Sequence, residues 1–441
     1  MKAILFKTLK FRYENIMFGL LLLFAANTVT AQGNTQAINL ETVLKLAGAD
    51  NLVIQQYQQR YELALADRAK AREWYLPTIY GGATTHYLTG KAMNTDGRFF
   101  EPVKRNNLWA GLGLFAEWDI SKGFYGSLAA KQKAKAAMHR STAERNQAIL
   151  QAVHTYYDLQ AEQMKYAAFN KLVSQADTIV QQIRIQVEVG ILFKTELLLA
   201  KSNYNHLRIA ALQSKIDFEK KSALLVNLLN IEEDVVLVSA DTAIVPVKMV
   251  EDIPDSSAQD IYKKRPEYMS LHSGLRSIQT ERKMTTTGLL MPKVRLGAYG
   301  SSFGSLDSGF VPTNELNLSL LWQIPTGRLL YRGDLRMVNA RVMLQENSIE
   351  QLKNQVRQEV TEAKSQLRSA TEQVEIAEES LQLSAEALSQ SIQRQKLGTV
   401  IPFEVFQAQE FYMKAQIDYL QAISSHNKAQ YSLYVAMGNN L

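Results

Sequence analysis

Apolar residues recur at intervals of three and four over two very long stretches of the chain. In the second half the series runs through 352–392, with Lys, Glu, Gln and Arg between its members. An equivalent series occupies 150–187 in the first half. Proline is absent from 128–187 and from 329–397, so neither stretch contains the residue that most strongly interrupts a helix. The pattern predicts two coiled-coil helices of about sixty residues or more, each ~90–100 Å long.

Shorter stretches alternate apolar and polar residues with a period of two, which is typical of strands whose two faces meet different surroundings. They predict two β-hairpins, at about 77–120 and 292–325. In a membrane β-barrel the apolar face of such strands meets lipid and aromatic residues lie at the membrane interface. The alternative is a soluble amphipathic hairpin that packs on helices. On the barrel interpretation, the lipid-facing residues are Leu112, Leu114, Leu316, Leu318 and Leu320, and the interface aromatics are Trp118 and Trp322.

Landmarks of the first half return in the same order in the second half. Residues 118–123 (WDISKG) correspond to 322–327 (WQIPTG), and 189–191 (VGI) correspond to 397–399 (LGT). The recurrence predicts an internal tandem duplication with structural repeats at 32–230 and 258–441, joined by a linker at 231–257. Each repeat is expected to contain a helix, a hairpin, a long helix and a shorter helix.

Residues 1–31 have the features of a cleaved secretory signal peptide. Lys2, Lys7, Lys10 and Arg12 precede an apolar stretch at 16–26, and small residues end at Ala31. The alternative is a membrane anchor, but the apolar stretch is shorter than the ~20 residues that span a bilayer. The mature protein is therefore expected to begin near Gln32. Since no later stretch offers about eighteen consecutive apolar residues, an exported chain of this sequence would enter a membrane as a barrel.

Four strands per chain are too few for a membrane barrel, since even the smallest have about eight. Open sheet edges are not stable in lipid. The hairpins therefore predict an oligomer whose subunits complete one barrel.

The composition argues against several kinds of chemistry. The chain contains no cysteine, which excludes disulfides, thiolate metal sites and a cysteine nucleophile. Its six histidines lack metal-ligand spacing, and no Gly-rich phosphate loop occurs. Lys and Arg do not form a stripe interleaved with aromatic residues, so nucleic acid is not an expected partner. The sequence predicts no catalytic residues, no metal site and no cofactor, and a hydrolytic enzyme is the least favoured class.

These features together resemble the TolC family of outer-membrane factors over nearly the whole mature chain. The resemblance is carried by motifs whose order and spacing agree, namely the repeated 118–123 and 322–327 segments, Leu76-Pro77 with Met291-Pro292, Arg265-Pro266-Glu267, Gly190 with Gly398, and the helix ends at 228–230 and 436–438. It implies a homotrimer with a twelve-stranded barrel in outer-membrane lipid and an α-helical coiled-coil tunnel in the periplasm. It also implies a passive exit duct for efflux or type I secretion, opened by a periplasmic adaptor and an inner-membrane pump. The alternative class is a soluble periplasmic coiled-coil adaptor or structural protein.

The resemblance further implies two sites in the helical part. The turns between long and short helices would dock the adaptor, through Val189, Gly190, Ile191, Leu397, Gly398 and Thr399. Purely structural turns are the alternative. Glu404, with Gln407 one turn later, would line the pore constriction, and the alternative for Glu404 is an ordinary first-turn glutamate stabilised by the helix dipole. The family's latch often pairs an Arg and a Tyr with a carboxylate, whereas the corresponding residues here are Val400 and Gln395.

Overall fold

The computed structural model describes residues 34–93, 96–231, 235–250, 261–305, 309–323, 325–397 and 399–441. The predicted signal peptide, the expected start at Gln32, Gly398, and residues 232–234 and 251–257 of the predicted linker lie outside the described residues.

Helices make up most of the described chain. The two long helices predicted from the apolar spacing are present, and they contain 69 and 64 residues. In chain order the helices are α1 (Leu40–Ala49), α2 (Leu52–Lys70), α3 (Ile120–Glu188), α4 (Lys194–Leu229), α5 (Pro266–Met284), α6 (Thr326–Tyr331), α7 (Gly333–Lys396) and α8 (Pro402–Ala436). Within the described residues, no helix combines the length and the apolar character needed to cross a membrane.

The two predicted hairpins form one antiparallel sheet of four strands, in the order β2-β3-β5-β6. Its strands are β2 (Thr78–Met93), β3 (Phe99–Asp119), β5 (Lys293–Ser305) and β6 (Gly309–Leu321). In the first hairpin the pairing extends as far as Met93 with Phe99. The strands of the first hairpin contain 16 and 21 residues, whereas those of the second contain 13 each. β2 and β6 form the edges of the sheet.

A second, two-stranded sheet was not predicted from the sequence. β1 (Asn34–Ile38) pairs in parallel with β4 (Val235–Ser239), which lies within the segment interpreted as a linker. Each strand has five residues, and a parallel pair needs a long connection between its members. The run of valine and leucine at 235–238 is the local signal for β4, whereas β1 offers little apolar pattern.

The chain divides into two compact units. Unit 1 comprises residues up to 43, 155–244 and 383–420, and unit 2 comprises 44–154, 245–382 and 421–441. Buried residues of α3, α4, α7 and α8 form the core of unit 1, including Ile183, Ala200, Leu388 and Val405. The α7 and α8 residues Val356, Val360 and Leu433 pack in a core of unit 2. The four-stranded sheet belongs to unit 2, and the α3–α4 and α7–α8 turns belong to unit 1.

Candidate functional site

The predicted lipid-facing leucines lie on one face of the four-stranded sheet. Leu114 is opposite Ala298, which is opposite Leu316 in turn, and Leu318 is opposite Leu296. Directly opposed residues of an antiparallel sheet point to the same face. This apolar face is open in the single chain, where Leu112, Leu316, Leu318 and Leu320 are 53–73% exposed and Leu114 is half-buried. Contiguous exposed apolar surface of this kind marks a site of contact with lipid or protein.

The opposite face of the sheet carries ion pairs where β3 ends and β5 begins. Arg295 Nε lies 3.2 Å from Glu117 Oε2, and Lys293 Nζ lies 3.5 Å from Asp119 Oδ2, across the β3–β5 pairing. Ser319 continues the row of Glu117 and Arg295 on β6. The two faces therefore differ in the manner expected of strands that separate an apolar phase from water.

On the face with the ion pairs, two aromatic rings approach each other so closely that the residue between them, Gly113, must be small. Gly113 lies between Tyr80 and Tyr299, whose ring centroids are 5.9 Å apart. A Cβ atom at this position would lie within 3 Å of both rings. The glycine permits the two tyrosines to cover the backbone of β3, a role that sequence reasoning did not predict.

The two predicted interface tryptophans have different surroundings. Trp118 is half-buried, and its Nε1 donates a hydrogen bond of 2.9 Å to the backbone oxygen of Tyr75. Trp322, directly after β6, is 59% exposed. Toward the other end of the apolar face, Tyr87 and Phe310 are also exposed. Neither residue was predicted, because the alternation of apolar and polar residues around it is weak, although both lie on the leucine face of the sheet.

The turn from α3 to α4 contains a glycine-dependent helix end. Gly190 has φ = 78°, and its N–H donates to the oxygen of Val187 at 3.1 Å. The N–H of Ile191 donates to the oxygen of Gln186 at 2.8 Å. These two bonds define a Schellman motif, whose left-handed residue favours glycine.

At the turn from α7 to α8 one bond of the Schellman motif is present, equivalent to that from Ile191 N–H to Gln186. The N–H of Thr399 donates to the oxygen of Arg394 at 3.0 Å, and the Thr399 hydroxyl donates to that same oxygen at 2.9 Å. Both bonds satisfy a carbonyl that the helix leaves without an intrahelical partner.

Both turns carry exposed apolar side chains. Val189 is 64% exposed, Ile191 70% and Leu397 79%, while Thr399 is also exposed. Sequence reasoning missed three further members of this apolar group, which are Phe193, Ile401 and Phe403. The sequence does contain a signal for these three residues, because large apolar residues occur at and beside turns, where polar residues are normally found.

An amide pair joins the ends of the two long helices within unit 1. Gln395 is buried, and its Nε2 donates to Gln186 Oε1 at 3.3 Å. A second pair joins the shorter helices, where Asn203 Nδ2 donates to Gln409 Oε1 at 3.1 Å. The pairs bring the predicted docking turns into one region, and neither was predicted from sequence.

Glu404 lies in the first turn of α8, as its sequence position suggested. Its Oε1 is 3.0 Å from Arg394 Nη1 and also accepts a 3.4 Å hydrogen bond from the Ser391 hydroxyl. The ion pair is partly exposed, with 38% of the Glu404 side chain accessible. Gln407 is exposed and borders a groove of about 580 Å³ between α4 and α8, lined also by Asn203, His206 and Phe403. Glu404, the predicted constriction carboxylate, is thus paired with a cation of the same chain, Arg394.

In the part of the chain that the structure describes, no group of three or more His, Asp or Glu side chains is placed to hold a metal ion.

Comparison with known proteins gives matches among solved structures. No family model and no curated protein sequence matches the chain. The outer membrane channel CmeC of Campylobacter jejuni superposes with a TM-score of 0.81 at 19% sequence identity, covering 91% of this chain and 85% of that one. The open state of the Neisseria gonorrhoeae outer membrane channel MtrE gives a TM-score of 0.75 at 16% identity, with 91% and 89% covered. For the Vibrio cholerae outer membrane protein VceC the values are 0.74 and 14%, with 91% and 96% covered. The chain therefore has the fold of outer-membrane channels, as the sequence analysis predicted.

Proposed function

We propose that this protein is an outer-membrane channel of the TolC family, a passive exit duct of a tripartite efflux or type I secretion system. The main support for the proposal is that the chain has a channel fold whose four-stranded sheet has chemically different faces. One face presents exposed leucines such as Leu316 and Leu318, and the other presents the Glu117–Arg295 ion pair. A sheet with these faces is stable where lipid lies on one side and water on the other.

The proposed assembly is a homotrimer with a twelve-stranded barrel. The sheet of one chain ends in two edges, β2 and β6, and unpaired strand edges are costly in lipid. Pairing β2 of one subunit with β6 of the next removes every edge when the ring closes. The predicted internal duplication agrees with such a ring, because each repeat would contribute one hairpin. The helical part would lie in the periplasm.

The proposed docking surface for a periplasmic adaptor consists of the two helical turns. Val189, Ile191 and Leu397 project into solvent at the ends of the long helices, and exposed apolar groups that cluster in this way are typical of protein contacts. Gly190 supports the surface by permitting the reversal between α3 and α4. By the predicted repeat relation, Gly398 and Thr399 complete the second turn. The inner-membrane pump would act through the adaptor.

The proposed constriction is formed by Glu404 and Gln407 of three subunits. The negative charge of three carboxylates would favour cations in the pore. Arg394, at 3.0 Å from Glu404, opposes that effect with a charge of the opposite sign. Cation selectivity is therefore expected to be modest in the intact protein.

The central experiment is conductance of the purified protein in a planar lipid bilayer. We expect ohmic channels from a protein that migrates as a heat-sensitive trimer in mild detergent. Arg394→Ala should increase cation selectivity, and Glu404→Gln should decrease it, because each removes one partner of the ion pair. A protein that partitions into the aqueous fraction without detergent and forms no channels would instead support the soluble periplasmic alternative.

A separate experiment addresses docking. Ile191→Asp and Leu397→Asp place charge on side chains that are at least 70% exposed, so folding should be retained. We expect both variants to form channels in bilayers and to lose export in cells. Val245→Asp, at a side chain 62% exposed outside the turns, is the matched control and should export normally. Normal export by both turn variants would contradict the docking proposal.

A further inference from the structure

The passage from sheet to helix is interrupted in the second half of the chain and continuous in the first. In the first half α3 follows β3 directly and runs without a break for 69 residues. In the second half α6 ends at Tyr331, and α7 begins two residues later at Gly333. By the predicted repeat relation, residues 330–332 at the interruption correspond to 126–128, which lie inside α3. The interruption therefore belongs to one half of the chain only.

The residue at the interruption, Arg332, has a backbone conformation that is rare for arginine. Its φ of 50° and ψ of 26° lie in the left-handed region, where a Cβ atom crowds the backbone and glycine is preferred. Its N–H donates to the oxygen of Arg328 at 3.1 Å, and its own oxygen accepts from Arg336 N–H at 3.0 Å. A single strained residue thus ends α6 and starts α7. Strain of this kind is common at functional positions, so the arginine side chain is a candidate for a function.

The interruption leaves two large apolar side chains in solvent. Leu330 and Tyr331 are each 80% exposed. Their counterparts in the first half are Gly126 and Ser127, which offer little apolar surface. The short helix α6 therefore presents an aliphatic and an aromatic side chain that the equivalent part of α3 lacks.

This apolar pair follows closely on the end of the leucine face of the sheet. The last row of that face consists of Trp118, Val294 and Leu320, which are directly opposed across β3, β5 and β6. Residues 322–325 separate β6 from α6, and a connection of this length spans at most ~18 Å. It includes Trp322, which is 59% exposed. Exposed apolar residues thus continue along the chain from the sheet into α6.

Arginines flank the apolar pair. Arg328, Arg332 and Arg336 follow one another at intervals of four residues, and Asp334 is the only acidic residue in 320–345. Asp334 Oδ2 lies 2.9 Å from Arg328 Nε, and the Arg328 side chain is still 60% exposed. Arg332 and Arg336 are exposed, and neither side chain has a partner among the described residues. The segment therefore combines exposed apolar groups with an excess of positive charge.

We propose that α6 and the arginines beside it form a binding site for an anionic phospholipid of the periplasmic leaflet of the outer membrane. The proposal rests on the proposed function, because it requires the leucine face of the sheet to meet lipid. Leu330 and Tyr331 enter the boundary between headgroups and acyl chains, as the apolar side chains of interfacial helices do. Arg332 and Arg336 bind the phosphate, for which the guanidinium group is well suited.

Two observations favour a lipid over a protein as the occupant. The exposed apolar group of α6 consists of two side chains, whereas a stable protein interface takes about 20–30 residues from each partner. The chain also passes from the leucine face into α6 at the end of the sheet where the helices begin, which is the periplasmic end in the proposed channel. Cations at such a position attract anionic headgroups.

Native mass spectrometry of the full-length protein, purified as its assembly in a neutral detergent, tests the proposal. The assembly is mixed with phosphatidylglycerol or with phosphatidylcholine of the same acyl chains, and the bound lipids are counted. We expect at least about fivefold tighter binding of phosphatidylglycerol, the factor that one cation near an anionic headgroup contributes. Glycerol phosphate at an equal concentration lacks acyl chains and should not compete. Equal binding of the two lipids, or displacement by glycerol phosphate, would overturn the proposal.

Arg332→Gly is the most informative substitution, because it removes the guanidinium and supplies the residue that the backbone prefers. Combined with Arg336→Gln, it should abolish the preference for phosphatidylglycerol while the assembly keeps its thermal stability in neutral detergent. Arg357→Gln with Arg368→Gln is the matched control, since it removes two exposed arginines of α7 at a distance of ~36 Å or more along the helix. The control should keep the preference. Its loss in the control, or its persistence in the variant at 332 and 336, would contradict the site.

The binding measurement distinguishes this inference from the proposed function, since it does not depend on conductance. A soluble periplasmic protein would retain neither lipid, and that result would contradict both proposals. Retention of both lipids to the same extent would overturn the site at α6 and leave the channel proposal standing. A purely structural role of Arg332 would change thermal stability and leave the lipid preference as it is.

Discussion

Arg265 shows how a charged residue can be stable in a buried position. The residue is 7% exposed, and its guanidinium makes a two-point contact with Glu267 at 3.0 and 3.1 Å. It also lies 3.0 Å from Glu359 Oε2 and donates to the backbone oxygen of Ala436 at 3.2 Å. Burial lowers the pKa of Arg265, but its bonds and charge interactions with Glu267 and Glu359 outweigh burial and raise the pKa overall. The residue therefore remains charged and connects α5 to α7 and α8 within unit 2.

Replacing Arg265 by lysine is expected to lower the free energy of unfolding. An ammonium group retains the charge but cannot reproduce the planar two-point contact while also reaching Ala436. The loss should be about 1.5–3 kcal/mol, the contribution of a hydrogen bond to a charged group. Arg276→Lys, at an exposed position of α5, should change stability by less than ~0.5 kcal/mol. Thermal unfolding of the two variants in the same detergent measures the difference, and equal midpoints would contradict this account.

Tyr156, a buried tyrosine of α3, predicts a dependence of stability on pH. Burial, with the nearby Asp241, raises the pKa of Tyr156 to about 12. The folded protein then holds the phenolic proton at pH values where the unfolded chain, with an ordinary pKa of about 10, releases it. The corresponding stability is complete below pH 10 and is lost as pH rises toward 12, by up to ~3 kcal/mol. Tyr156→Phe should remove this part of the pH dependence, whereas Tyr331→Phe, at a side chain 80% exposed, should not.

At the scale of elements, the repeated strand-to-helix motif contains two glycines that have different surroundings. Gly123, near the start of α3, faces the ring of Trp74, and a Cβ atom there would overlap the indole. Gly327, its counterpart in α6, has no heavy atom within 4 Å of the corresponding Cβ position. The sequence motif is thus repeated while the packing around it is not.

The two alanine substitutions should therefore have opposite effects on stability. Gly123→Ala forces Trp74 out of its place, and overpacking of this kind costs about 1–3 kcal/mol. Gly327→Ala meets open space and reduces the freedom of the unfolded chain, so it should be neutral or stabilising by ~0.5–1 kcal/mol. The temperature at which the assembly dissociates on a gel measures both. A similar loss in the two variants would show that Trp74 does not determine the need for Gly123.

The long helices and the hairpins were predictable because their signals are local. Periodicity over many residues determined α3 and α7, and strict alternation determined β6. The β1–β4 pair was not predictable, since its short strands are distant in sequence and α3 and α4 intervene. The same limit applies to Gln186 with Gln395 and to Asn203 with Gln409, because each contact depends on how separate helices pack. Arg394 and Glu404 are only ten residues apart, but their pairing depends on the geometry of the turn between them.

At the scale of the whole molecule, the exposure of the leucines is explained by the proposed assembly and not by the single chain. The register of β3, β5 and β6 places Leu114, Ala298 and Leu316 in one row, and Ala116, Leu296 and Leu318 in the next. A surface of this kind would promote aggregation of a soluble protein. In the proposed trimer the same rows continue around a closed barrel and face lipid. The apolar face is thus explained by the assembly as well as by the fold.

The last prediction concerns which face of the proposed barrel tolerates charge. Leu318 and Asn317 are neighbours on β6, and successive residues of a strand point to opposite faces. Leu318→Arg places a cation toward lipid, which costs ~2–4 kcal/mol near the bilayer midplane. Asn317→Arg places the same cation on the face with the ion pairs, where water can solvate it. We expect Leu318→Arg to reduce the amount of heat-sensitive trimer in outer-membrane fractions, and Asn317→Arg to assemble normally. Equal assembly of the two variants would show that the leucine face does not meet lipid, because the substituted side chain, the strand and the depth along it are otherwise matched.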